Sequence, residues 1–481
     1  MTKPFPETMA FAGYNAPSRV EADIYDLVVE GDLPAGLNGA WYRMTPDPQY
    51  PPKQGDDFFI SGDGMISMFR FEDGHVDYKS RYVRTERFMA EREARRALFG
   101  AYRNRFTDDE SVQGMDRTVA NTSPIWHAGR LLASKEDAHP YEIDPQTLET
   151  RGRHDWGGKL KSLTVSAHPK TDPRTGELLF YGYESAGDAT RDMSFCVADA
   201  SGRLVSEEWF EAPYPGMVHD FAITEDYVVF PIFPTITDLD RMKAGGLHWM
   251  SDVSQDCWVG VIPRKTGVKD LRWFKRPGGQ FFHVINAWDE GGKITLDLCV
   301  SQTNSFPFIP DVSGAPYDPA AASTLPSRWT LDLERNDEHI DERLIAPVPG
   351  DVPRIDDRRI GQRYRQAWMG MVDPTRAIHL SGPVGGGFNL VGRLDMDTGE
   401  TDAWYGGDND AFQEPQFVPE GTGELDGYIL SVIERHGQNL SDVGVFRAGK
   451  MADGPIAVIR LPLRLRGAVH GCWVPAAELP G

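Results

Sequence analysis

A strand, a polar turn carrying Gly or Asp, and a second strand recur along this whole chain. That repetition limits its fold more than any other feature. The unit reads as FRFEDGHVDYKSRYV from Phe69, YEIDPQTLETRGR from Tyr141, CVADASGRLVSEEWF from Cys196 and VGVIPRKTGVKDLRWF from Val259. It returns as AWDEGGKITLDLCV from Ala287 and GRLDMDTGETDAWY from Gly392, with a looser copy from Val443. Turn formers between runs rich in β-branched and aromatic residues mark hairpins. No long helical pattern alternates with them, which disfavours a βαβ sheet. Seven blades of four strands would take about 69 residues each, leaving room for long loops. The expectation is an all-β propeller forming one domain over residues 1–481.

One segment departs from this pattern. TERFMAEREARRALFGAYRNRF, from Thr85, is rich in helix formers and free of Pro and Gly until Gly100. Its basic and apolar mixture has the composition of a helix lying in a membrane interface. The acidity of the chain favours instead a helix packed over the rim of the β-core.

The chain carries 50 Lys and Arg against 72 Asp and Glu, a formal net charge of −22. Such a surface is soluble, and it disfavours both nucleic acid and anionic membranes. Cys196, Cys257, Cys299 and Cys472 form no CxxC pair, which fits a reducing compartment and argues against a thiolate zinc site. The opening MTKPFPETMAFAGYN has no basic stretch leading into an apolar run, so no signal peptide is expected. No uncharged apolar run approaches about 18 residues. The expectation is a cytoplasmic protein without nucleic-acid partner or membrane contact; a homodimer is left open. The GPVGGG run at Gly382 lacks the strand-before, helix-after setting of a dinucleotide loop.

Four of the twelve histidines sit in short apolar, strand-like settings: His168 in VSAHP, His219 in GMVHDF, His283 in FFHVINAW and His470 in GAVHGCWVP. Intervals of 51, 64 and 187 residues separate them, so only a fold that returns repeatedly to one axis brings them together. His75, His139, His154 and His339 lie in polar contexts and read as surface. A buried imidazole must satisfy both ring nitrogens, by a metal or, more commonly, by core hydrogen bonds. An all-imidazole set suits Zn, Cu, Fe or Ni. Tetrahedral zinc would leave catalysis no open position, whereas six-coordinate Fe(II) keeps two.

Longer strings carry a family likeness. GDLPAGLNGAWYRMTPDPQYPP, SGDGMISMFRFEDGHVDYKSRYVRTE, the four histidine motifs and the terminal HGCWVP resemble the carotenoid cleavage oxygenase family over essentially the whole chain. LFGAYRNRFTDDESVQGMDRTVANT, KEDAHPYEIDPQTLET, DLRWFKRPGG and NSFPF are similar to its bacterial stilbene-cleaving branch. The resemblance implies a seven-bladed propeller with helices and loops capping one face, and one axial Fe(II) bound by His168, His219, His283 and His470. It also implies O₂ as co-substrate and acidic partners for three of the imidazoles. Glu136 and Glu414 match two of those positions. Asp351 stands at the third, usually Glu, and must reach about one methylene further, directly or through a water.

In the stilbene-cleaving branch a Tyr and a Lys bind the substrate phenol, and the matching positions are Tyr102 and Lys135. An ammonium and a tyrosine hydroxyl would stabilise phenolate in a dry pocket, sending electron density onto the central alkene. Phe59 and Phe306, with Phe308, are candidates to line the aromatic slot. The implied reaction is O₂-dependent cleavage of a phenolic stilbene into two aromatic aldehydes, without nicotinamide or flavin. The alternative is an apocarotenoid oxygenase on the same iron site.

Overall fold

The structure is a computed structural model that describes residues 3–383 and 386–480. Met1, Thr2 and Gly481, at the limits of the expected domain, and Val384 and Gly385, in the GPVGGG run, lie outside the described residues. Seven antiparallel sheets, each of four or more strands, form a seven-bladed β-propeller. The seven hairpins read from the sequence fall one to a blade. They pair Gly64–Glu72 with His75–Tyr82, Tyr141–Ile143 with Thr150–Arg153, and Asp192–Ala198 with Leu204–Glu211. Asp256–Pro263 pairs with Arg272–Pro277, and Gln280–Glu290 with Lys293–Ser301. Leu390–Asp395 pairs with Thr401–Trp404, and Leu440–Arg447 with Ala457–Arg460.

The ring is closed twice by strands from opposite ends of the chain. Gly471–Pro475 pairs with Gly39–Pro46, and Val29–Gly31 pairs with Ala457–Arg460. Closure ties the two ends of the chain into shared blades, and each blade is left with only a short outer edge. The largest core cluster joins neighbouring blades through Tyr181, Phe221, Phe230, Trp249 and Trp329. Burying each such ring stabilises the packing by roughly 1.5–3 kcal/mol.

Helix α1 spans Glu86–Ala94 and stops well before Gly100, where the sequence pattern breaks. Thr85 caps its start by accepting the Phe88 amide, and Arg95, at φ 54°, ends it in the left-handed region. The early stop has a specific cause. The buried Glu91 carboxylate accepts the amides of Leu98 and Phe99 at 2.8 and 3.0 Å, folding the chain back on the helix. Phe88 and Glu91 face inward while Met89 is exposed, the packing of a rim helix. Among the described residues, no helix is long and apolar enough to cross a membrane.

Candidate functional site

The four apolar-flanked histidines converge. One ring nitrogen from each lies within 4.8 Å of the other three. His168 and His219 lie two and three residues before the first strands of two blades, Lys170–Thr171 and Ala222–Ile223. His283 lies within a third such strand, Gln280–Glu290, and His470 immediately precedes Gly471–Pro475. Each blade's first strand runs along the propeller axis, so widely spaced sequence positions meet there. Of the four histidines read as surface, His75 and His339 are exposed, while His139 and His154 are half-buried.

Three imidazoles are held from behind by carboxylates. His219 Nδ1 lies 2.7 Å from Glu136 Oε2, His283 Nδ1 2.8 Å from Asp351 Oδ1, and His470 Nδ1 2.7 Å from Glu414 Oε1. Asp351 therefore makes its contact directly. Each carboxylate takes the Nδ1–H, leaving the Nε2 lone pair facing the axis. Burial raises the proton affinity of Glu414, but Arg354 and His470 outweigh it and hold the carboxyl at about 2. Arg354 reaches its Oε2 at 3.0 Å. Glu136 is likewise held below the usual range, against burial, by His219. Burial lowers His470 to about 4, and burial with the neighbouring imidazoles drives His168 well down. Burial opposes charge on His283 too, but Asp351 overcomes it and raises that imidazole.

This arrangement fits a metal ion. The Nε2 atoms of His283 and His470 are buried without a hydrogen-bond partner, and the Nε2 atoms of His168 and His219 face each other at 2.9 Å. Imidazole nitrogens converged in this way, two of them otherwise unpartnered, are what a bound cation would satisfy. The donor set, imidazole without thiolate, is one that iron accepts.

A cavity of about 740 Å³ opens on His219, His283 and His470 from one side. Tyr102, Lys135 and Phe306 line it, with Phe58, Phe282 and Trp249. Lys135 is buried, donates to the Ile60 carbonyl at 2.8 Å, and places Nζ 4.7 Å from the centre of the Tyr102 ring. Burial lowers its ammonium to about 8. The Tyr102 hydroxyl is buried beside the Trp249 indole and is pushed far up, chiefly by burial. Phe282 stacks on His219 at 3.6 Å between ring centres and meets Phe306 edge-on at 4.6 Å.

Phe59 corrects the expectation for the aromatic slot. It is absent from the cavity wall and packs with Ala10 and Phe11 beneath the Arg466 guanidinium, 3.9 Å from the ring centre. Phe59–Ser61 forms a 3₁₀ turn, so strand alternation does not govern which ring faces inward. Phe58 takes the cavity position, 5.3 Å from Tyr102 and 4.8 Å from Phe308 between ring centres. Phe58, Phe282 and Trp249 were not read from the sequence. DDFF offered two adjacent rings, FFH put an aromatic beside a histidine, and Trp249 sits in LHWM with no motif around it.

With the geometry in place, comparison with known proteins decides the family. A model of the retinal pigment epithelial membrane protein family, which includes the carotenoid oxygenases, matches residues 15–475. The chain belongs to this family. An isoeugenol monooxygenase of Pseudomonas nitroreducens is 46% identical, over 95% of this chain and 96% of that protein. Lignostilbene-alpha,beta-dioxygenase isozyme III of Sphingomonas paucimobilis is 45% identical, over 99% of each. The crystal structure of a Pseudomonas brassicacearum lignostilbene dioxygenase superposes with a TM-score of 0.96 at 43% identity, covering 99% of this chain and 100% of that one. The chain is accordingly an alkene-cleaving oxygenase of this family.

Proposed function

We propose that this oxygenase uses one Fe(II) to cleave the alkene of 4-hydroxystilbenes with O₂, giving two aromatic aldehydes. The single observation that carries the reading is the pairing of the four-histidine centre with a buried Lys135 and a buried Tyr102 on one aromatic cavity wall. Fe(II) held by His168, His219, His283 and His470 would supply O₂ binding and activation beside the alkene.

The remaining work belongs to the chain. Lys135 and Tyr102 bind the phenol oxygen and favour its deprotonated form, because a charge-assisted contact gains strength where water is excluded. Negative charge then spreads through the ring and enriches the alkene in electrons. Phe58, Phe306 and Phe282 hold the flat, conjugated substrate over the histidines. Glu136, Asp351 and Glu414 keep the imidazoles in one tautomer.

A cavity of about 740 Å³ has room for both rings of a stilbene, and its wall continues past Phe308 to Tyr317 and Pro319. A second reading, an isoeugenol-type propenylphenol, is supported by the similarity to isoeugenol monooxygenase. It needs the same phenol contacts and leaves the outer cavity unfilled. An apocarotenoid has no phenol for Lys135 and Tyr102. The test is anaerobic loading with Fe(II), then O₂ with resveratrol, a lignostilbene, isoeugenol and an apocarotenal in parallel. Aldehydes from stilbenes at the highest rate support the proposal; faster turnover of the apocarotenal overturns it.

A further inference from the structure

A second cavity, of about 390 Å³, meets the histidine centre from the other end of the propeller axis. The innermost strands of six blades contribute to its wall. Along three of them the lining changes over at the level of the histidines. In Gln280–Glu290, Phe282 and His283 line the aromatic cavity, and residues 284–286 line the second one. In Gly350–Arg354, residues 350–352 line the first, and Pro353 and Arg354 the second. Residues 467–469 and 471–473 divide in the same way about His470, which lines both. The imidazoles thus form a partition between two chambers.

The two chambers differ in what they admit. The aromatic cavity presents Phe58, Phe282, Phe306 and Phe308 with the buried Lys135, and its carboxylates are already engaged by imidazoles. A hydrated divalent cation entering there loses solvation and meets a like charge. The second cavity reaches solvent at Pro173, Asp357 and Arg358, all exposed. Its three cationic side chains are each neutralised: Lys170 by Asp220 at 2.8 Å, Arg354 by Glu414 at 3.0 Å and Arg358 by Asp356 at 2.7 Å. Asp357 is left over, a carboxylate with no hydrogen bond or ion pair among the described residues. At the inner end stands His168, half-buried where the other three imidazoles are buried. It lines this cavity alone, and among the described residues no carboxylate stands behind it.

We infer that this second chamber is the path by which a divalent metal ion enters and leaves the histidine centre, with Asp357 drawing the ion to its mouth and His168 receiving it first. This assignment rests on the metal reading of the four histidines and is independent of the organic substrate. It separates two streams of traffic, metal from one end of the axis and substrate from the other. Metal exchange then proceeds with the aromatic cavity filled.

The probe is Co(II), its capture by the metal-free protein followed by visible absorbance, with release from the loaded protein to a chelator measured alongside. In the wild type, filling the aromatic cavity with 4-hydroxystilbene is expected to leave both rates unchanged. Asp357→Asn should slow capture about threefold or more at low ionic strength and Asp357→Lys further, both effects fading in salt. Neither should change the amount of metal bound at equilibrium, because Asp357 guides the ion without holding it. Thr171→Trp places a large ring on the wall of the second cavity and should slow capture and release together by about tenfold or more. The stilbene measurement needs no variant, so it decides the route even where Thr171→Trp fails to fold. Slowing by the stilbene with indifference to the substitutions routes the metal through the aromatic cavity and overturns the inference, as does indifference to all of them. A protein that captures no Co(II) overturns the metal reading itself, and the route with it.

Discussion

Asp351 Oδ1 lies 2.8 Å from His283 Nδ1, a direct contact made by a side chain one methylene shorter than the glutamates behind His219 and His470. The strand makes up the difference. Its register against Gln366–Met371 shifts between Asp351 and Arg354, and Val352 sits at φ 50°. Left-handed backbone at a β-branched residue costs on the order of 1–3 kcal/mol. The Val352 amide returns part of this by donating to Asp351 Oδ1 at 2.7 Å.

Asp351→Ala is therefore expected to lower iron affinity about 10–100-fold, as losses of such carboxylate supports do. Iron retained after dialysis against a graded chelator measures it. Retention equal to wild type would remove Asp351 from any role at the metal.

Removing His470 or His283 by substitution with Ala is expected to abolish iron binding and turnover together, because each presents a buried, otherwise unpartnered Nε2. Chelation of the intact protein should do the same reversibly, with Fe(II) restoring activity and Zn(II) failing to. Restoration by zinc would point to hydrolytic chemistry.

The Lys135 side chain sets a pH limit. Burial lowers its ammonium to about 8, so the charged form is present below that pH and is lost as pH rises through it. Since kcat/KM reports the free enzyme, kcat/KM for 4-hydroxystilbene should fall above pH of about 8. Lys135→Met should remove that limb along with most activity. A profile unchanged by the substitution would assign the limb elsewhere.

Phe58 and Phe59 should separate cleanly. Phe58→Ala opens the cavity wall and is expected to raise KM for stilbenes with little change in melting temperature. Phe59→Ala leaves a hole under Arg466 and should cost roughly 3–5 kcal/mol of stability. Denaturant unfolding alongside steady-state kinetics distinguishes them; the reverse pattern would contradict the packing.

Much of this fold was legible because hairpins are local. Each of the seven quoted segments needed only its own turn and alternation to declare a strand pair, and each fell in a separate blade. The four histidines were legible through their apolar flanks, but their convergence depends on blade order, which no local pattern carries. Phe59 misled because alternation ends at a 3₁₀ turn. Helix α1 ended early because the Leu98 and Phe99 amides, just beyond its end, captured Glu91, a contact invisible to helix propensity. Trp249 escaped notice because its place on the cavity wall comes from the packing around it, which no local pattern carries.

The pairing of Gly471–Pro475 with Gly39–Pro46 has a temporal side. The ribosome delivers His168, His219 and His283 long before His470, and the closing strand comes directly after that last imidazole. A nascent chain thus holds an incomplete ligand set on an open ring. Were a metal held there, its full set of four imidazoles would exist only once this final strand had docked, and a shortened product would lack the last of them.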